Sequence, residues 1–127
     1  MATAIIHAGI CGFTTKVEAI ARPDGEVELR ISSDCPSVQE LAGPLQRVDP
    51  MREISYRGEL PAVLEAARAG LPHPACVVPA GILKAVEVAA GLALAAAASI
   101  ELSTADDALC RVPLGRECTP PTEEQTQ

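Results

Sequence analysis

Residues 14–33 read TTKVEAIARPDGEVELRISS. Apolar residues alternate along both arms, Val17, Ala19 and Ala21 and then Val27, Leu29 and Ile31, which is the period of a strand with one buried face. Between the arms, Pro23 presets φ for a turn and Asp24-Gly25 tolerates left-handed backbone. The stretch predicts a β-hairpin over residues 14–32. Upstream, the β-branched pair Ile5 and Ile6 predicts a strand over Thr3–Ala8, ended by Gly9 and Gly12 around Cys11.

Downstream, the pattern changes from strand to helix. Asp34 and Cys35 precede Pro36, whose missing N–H costs nothing at the first position of a helix. PSVQELAGPLQRV therefore reads as a short helix, interrupted or ended near Gly43-Pro44. Asp49-Pro50 repeats the signature, and Asp34 and Asp49 are both read as helix caps. GELPAVLEAARAG gives a further helix that ends at Gly70. Pro79 opens the longest helix, to about Leu94, with Ile82, Leu83, Val86, Ala89, Ala90 and Ala93 at helical spacing. SIELS, residues 99–103, reads as a short final strand. The expected fold class is α+β: a small antiparallel β-sheet packed against three to four helices, as one domain over residues 1–104. Residues 105–127, ending TPPTEEQTQ, read as a polar tail.

Composition excludes several functions. The chain has 127 residues, 48% of them apolar, with one Phe, one Tyr and no Trp. Ala, Val, Ile and Leu must therefore build the core, and no aromatic platform exists on which bases could stack. A formal net charge of −7 opposes a nucleic-acid backbone, which needs clustered Lys and Arg. Lys84 and Glu87 interrupt the Ala-rich stretch from Ala80 to Ile100, so it is not read as a membrane span. MATAIIHAGICGF carries no basic residue ahead of its short apolar segment, unlike a secretory signal. The expected location is the cytoplasm.

Five cysteines are present, and in a reducing compartment they point to thiolate chemistry rather than to a disulfide framework. The hairpin gives a geometric expectation: cross-strand partners should have residue numbers summing to about 47–49, which brings Cys11 and its neighbours opposite Cys35 and Pro36. Cys35 and Cys76 each sit at a helix start, where the macrodipole favours a thiolate. The stiff loop GLPHPACVVP, residues 70–79, holds His73 and Cys76 three positions apart. Cys11, Cys35 and Cys76, with His73 as a fourth ligand, would suit zinc or an iron–sulfur cluster. The same residues fit two other readings. Cys76 could be a thiolate nucleophile with His73 as its base. Alternatively, the cysteines are small core residues, as free cysteine often is. His7 falls inside a strand pattern. Glu18, Glu26, Glu28, Glu65 and Glu87 look like solvated faces, and Cys110 and Cys118 are spare thiols on the tail.

GICGF, SSDCPSVQELA and HPACVVPAGILKAVEVAAGLAL follow one another in an order that resembles the U-type iron–sulfur scaffold proteins, the IscU and NifU N-terminal fold. DCPSVQELA also resembles the GCPG segment of TSCPD-type domains attached to some ribonucleotide reductases. The likeness is nearest to a set of small prokaryotic proteins with the same three-cysteine pattern, from which no activity carries over. The scaffold resemblance implies a sandwich-like α+β fold, with Cys11, Cys35 and Cys76 as ligands of a cluster or zinc and His73 as the candidate fourth. It implies a carrier, assembly factor or redox partner, a cluster donor or acceptor as protein partner, and a homodimer if two chains share a cluster. Two departures stand out: Pro74-Ala75 separates His73 from Cys76, and Asp34 precedes its cysteine where the scaffold's acidic residue follows one.

Overall fold

A computed structural model describes residues 1–104 of the chain. The expected tail, 105–127, with Cys110 and Cys118, lies outside the described residues. Every strand and helix described falls in one compact unit, Met1–Ala95, and a second unit begins at Ala96. The elements in chain order are β1 (Ala2–His7), β2 (Thr14–Ala21), β3 (Val27–Ser33), α1 (Pro36–Ala42), β4 (Arg47–Val48), α2 (Pro50–Glu53), α3 (Ala62–Gly70) and α4 (Val78–Ala89). The fold is α+β, a four-stranded antiparallel sheet in the order β1-β2-β3-β4 packed against the helices.

The hairpin forms as its alternation dictates. Val17 pairs with Ile31, Ala19 with Leu29 and Ala21 with Val27. Gly25 takes φ +91°, and its N–H donates to the Arg22 carbonyl at 3.0 Å. Val17, Ala19, Val27 and Leu29 are buried on one face of the sheet, and α4 lies across that face over β1 and β2 while α1 lies over β3. The opposite face carries Lys16, Glu18, Glu28 and Arg30. There Glu28 accepts from Arg22 Nε at 3.1 Å and from Arg30 Nε at 3.0 Å. The hydrogen bond from Arg22 chiefly, reinforced by Arg30, lowers the Glu28 pKa below the ordinary carboxylate value.

β1 pairs with β2 along its whole length, so the first strand joins the hairpin as a meander. The core is aliphatic: Val38, Leu41, Val63, Val78, Ile82 and Val86 from the helices meet the sheet's buried face. Burying each such side chain contributes about 1.5–3 kcal/mol before the loss of chain entropy is set against it. At Gly81 the helix comes so near β1 that an added Cβ would lie 2.5 Å from Ile6 Cγ1.

Four details depart from the sequence reading. First, α4 ends at Ala89, short of Leu94. Gly91 adopts φ +76°, and the N–H groups of Gly91 and Leu92 donate to the carbonyls of Val88 (3.1 Å) and Glu87 (2.9 Å), a Schellman closure that outweighs the apolar spacing beyond it. Second, residues 99–103 form no strand. Their alternation is local, and a strand exists only where a neighbour accepts its hydrogen bonds. Third, β4 was not expected, because two residues are too few to carry a period. Fourth, Cys35 and not Asp34 occupies the N-cap position of α1, whereas Asp49 caps α2 as expected, its carboxylate accepting from Met51 N–H at 3.0 Å.

Candidate functional site

Cys11 sits in the tight loop between β1 and β2. The loop is closed by Ala8 N–H donating to the Phe13 carbonyl at 3.1 Å and Gly12 N–H donating to the Gly9 carbonyl at 2.9 Å. Gly9 and Gly12 hold φ +85° and +75°, conformations that favour glycine, and Cys11 between them is exposed.

Cys35 follows β3 directly. Its backbone is fixed by others: its N–H donates to Ser33 Oγ at 3.1 Å, and its carbonyl accepts from Gln39 N–H at 3.0 Å. Ser33 is held in turn by the buried Thr15 hydroxyl at 2.8 Å, and its carbonyl accepts from Gln39 Nε2 at 2.8 Å. The Cys35 thiol makes no capping hydrogen bond, and the residue packs, half-buried, against the hydrophobic core. Cys76, just ahead of α4, is likewise half-buried and packed against the core. His73, three residues earlier, is exposed. Among the described residues no hydrogen bond joins it to Cys76. His7 pairs with Thr14 across β1 and β2, its Nδ1 lying 3.3 Å from the Thr14 hydroxyl.

The sheet register brings the Cys11 loop and Cys35 to one end of the sheet, although Cys11 precedes β2 and is not paired across the hairpin with Cys35 or Pro36. Thr15 stands opposite Ser33 and His7 opposite Thr14, so the Cys11 loop and Cys35 leave the same end of the sheet. The predicted metal centre does not follow from that placement. Among the described residues, no group of three or more His, Cys, Asp and Glu side chains converges closely enough to hold a metal ion. Cys11 is carried outward on its loop, while Cys35 and Cys76 face the core. An iron–sulfur cluster or zinc on Cys11, Cys35 and Cys76 with His73 is thereby corrected. The carrier, assembly and redox roles that depended on it go with it, as does the ligand set implied by the scaffold resemblance.

Two shallow concavities lie away from these residues. One shallow groove runs between Pro44-Leu45 and α3, floored by Ala62 and Ala66 and flanked by Glu65 and Arg68. A second follows β3 beside Ala42, Gln46 and Arg47. Neither is lined by a cysteine or a histidine, so no thiol–imidazole pair is presented to a bound molecule there.

A buried carboxylate that sequence reasoning passed over joins two helices of the fold. Glu53, the last residue of α2, is only 3% exposed. Its two carboxylate oxygens accept from the N–H groups that open α3, Oε2 from Ala62 at 2.8 Å and Oε1 from Val63 at 2.9 Å. These donors have no partner inside their own helix, and a negative charge at a helix N-terminus is favoured. Arg52 adds to the same joint, donating from Nε to the Leu60 carbonyl at 2.9 Å and from Nη2 to Glu65 at 2.8 Å. Local spacing holds no signal for Glu53, because its partners belong to the next helix and not to its own.

Among the described residues no helix is long and apolar enough to cross a membrane. One family model matches the chain, over residues 2–102, and describes a family of unknown function (DUF6951). No curated protein and no solved structure matches it.

Proposed function

We propose that the chain, which belongs to the family of unknown function DUF6951, is a small structural module that acts through its surfaces and performs no thiol chemistry. The observation that carries this reading is the packing of Cys35 and Cys76 against the hydrophobic core. Free cysteine behaves as a small hydrophobe in such positions. A nucleophilic role for Cys76 would need His73 within hydrogen-bond reach, with both groups facing a cavity that admits a substrate. His73 instead stands exposed and unlinked to Cys76.

Substitution separates the two roles. If the thiols serve as packing, Cys35→Ser and Cys76→Ser each destabilise the fold by about 1–2 kcal/mol, since a hydroxyl is set against an apolar surface. Cys35→Ala and Cys76→Ala cost less than the serine variants, because alanine brings no polar atom. His73→Ala changes stability by less than about 0.5 kcal/mol, as expected for an exposed side chain. Urea denaturation of the five variants measures this order. Serine and alanine variants all as stable as the parent would remove the packing role.

A further inference from the structure

The two edges of the sheet are unlike. On one side β4 is two residues long, carries Arg47 and lies between Pro44 and Pro50, the features by which proteins discourage edge pairing. On the other side β1 runs for six residues, ATAIIH, with no charge, no proline and no bulge in its register against β2. Among the described residues no strand pairs with its outer edge.

The hydrogen-bond phase of β1 follows from its end. Ala8 N–H donates to the Phe13 carbonyl, so the pair in register with it, Ile6 and Thr15, also faces inward, as do Ala4 with Val17 and Ala2 with Ala19. The backbone N–H and C=O groups of the alternate residues, Thr3, Ile5 and His7, therefore point away from the sheet. Their side chains all lie on the face away from the helices. Ile5 is 55% exposed there, an unusual placement for isoleucine in the middle of a strand.

We infer that β1 is a self-association seam and that its occupant is β1 of a second copy of this chain, paired antiparallel about a two-fold axis at Ile5. In that register Ile5 stands opposite Ile5 of the other copy, and Thr3 stands opposite His7. Each of these pairs exchanges both N–H···O bonds, so every outward backbone group of the edge is satisfied. The two four-stranded sheets become one continuous sheet with all helices on the same face, and the exposed isoleucines cover each other. Charge favours this seam over the rest of the surface. Two copies of a chain with a formal charge of −7 repel, and residues 1–8, MATAIIHA, contain no Asp or Glu to add to that repulsion at the contact. A two-fold isologous contact also closes on itself, so pairing stops at two chains. The inference goes beyond the packing role of the cysteines and does not rest on it.

Sedimentation equilibrium of the full chain, with amide hydrogen exchange followed by NMR, tests it. The expected result is a two-chain species at micromolar to millimolar concentration in which the Thr3, Ile5 and His7 amides exchange slowly. Ile5→Lys sets two like charges opposite each other and should return the mass to one chain, with the far-UV circular dichroism unchanged. Thr3→Pro removes a donor that only the second copy uses and should weaken the dimer in the same sense. A single chain at every concentration overturns the inference. So does a dimer indifferent to both substitutions, or one in which those three amides exchange as freely as exposed backbone.

Discussion

Glu53→Ala is expected to destabilise the fold by about 3–5 kcal/mol, because hydrogen bonds to an ionised group are worth about 1.5–3 kcal/mol each and two are lost together. The loss leaves the N–H groups of Ala62 and Val63 without their acceptors at the start of α3. Val63 is fully buried, so water does not readily replace the carboxylate there. Glu53→Gln should cost less than the alanine variant, since its amide oxygen still accepts one bond while its NH2 group turns a donor toward the other N–H. Urea midpoints, with the slope of the transition checked for constancy, give the order parent, glutamine, alanine from most to least stable. An alanine variant within about 0.5 kcal/mol of the parent, the range of ordinary surface changes, would show that the joint between α2 and α3 is held by something else.

Gly81→Val is the second large effect. Intrinsic helix propensity alone predicts a gain, since glycine is about 1 kcal/mol worse than alanine in a helix interior and valine lies between them. Packing opposes it: a Cβ at this position falls 2.5 Å from Ile6 Cγ1, and valine adds two further methyl groups. Overpacking of this kind costs about 1–3 kcal/mol, occasionally more, which exceeds the propensity gain. The net expectation is a loss of about 2 kcal/mol or more for valine, and a smaller loss for alanine. Combining Gly81→Ala with Ile6→Ala should recover part of the difference, because the second change opens the space that the first fills. Stabilisation by Gly81→Ala in the parent background would mean that α4 rides higher above β1 than the structure places it.

The residues that announced the fold were those whose signals are local. Alternation in 14–32 and the Asp24-Gly25 turn specify a hairpin without help from the rest of the chain. Pro36, Pro50 and Pro79 likewise mark the helix starts, each at the first or second helical position. What escaped depends on partners distant in sequence or on the competition between two local signals. The sheet gains β4 because Val48 pairs with Val27, a contact invisible in two residues. It gains no strand at SIELS, although the alternation is present. Gly91 terminates α4 against an apolar spacing that runs on to Ala93.

The candidate site divides in the same way. Register arithmetic placed Cys11 and Cys35 at one end of the sheet, and the pairing of Thr15 with Ser33 agrees with it. The direction of a thiol is a different matter. Cys35 packs against the core, its N–H and carbonyl taken by Ser33 Oγ and the Gln39 N–H while its sulfur makes no capping bond. Stiffness in GLPHPACVVP likewise fixes the loop's shape and says nothing about what the loop faces. Spacing alone therefore left metal ligation, a Cys76–His73 pair and core packing all open; the lack of a converging ligand group among the described residues removes the first, and the packing of Cys35 and Cys76 favours the last.

The most direct test of that packing is residue-resolved alkylation of the native protein, read by mass spectrometry at Cys11, Cys35 and Cys76. Cys11, exposed on its loop, is expected to label first, while Cys35 and Cys76 label well behind it and accelerate as urea opens the fold. Cys76 labelling faster than Cys11 in the native state, and slowing on His73→Gln, would contradict the account and make Cys76 an activated nucleophile.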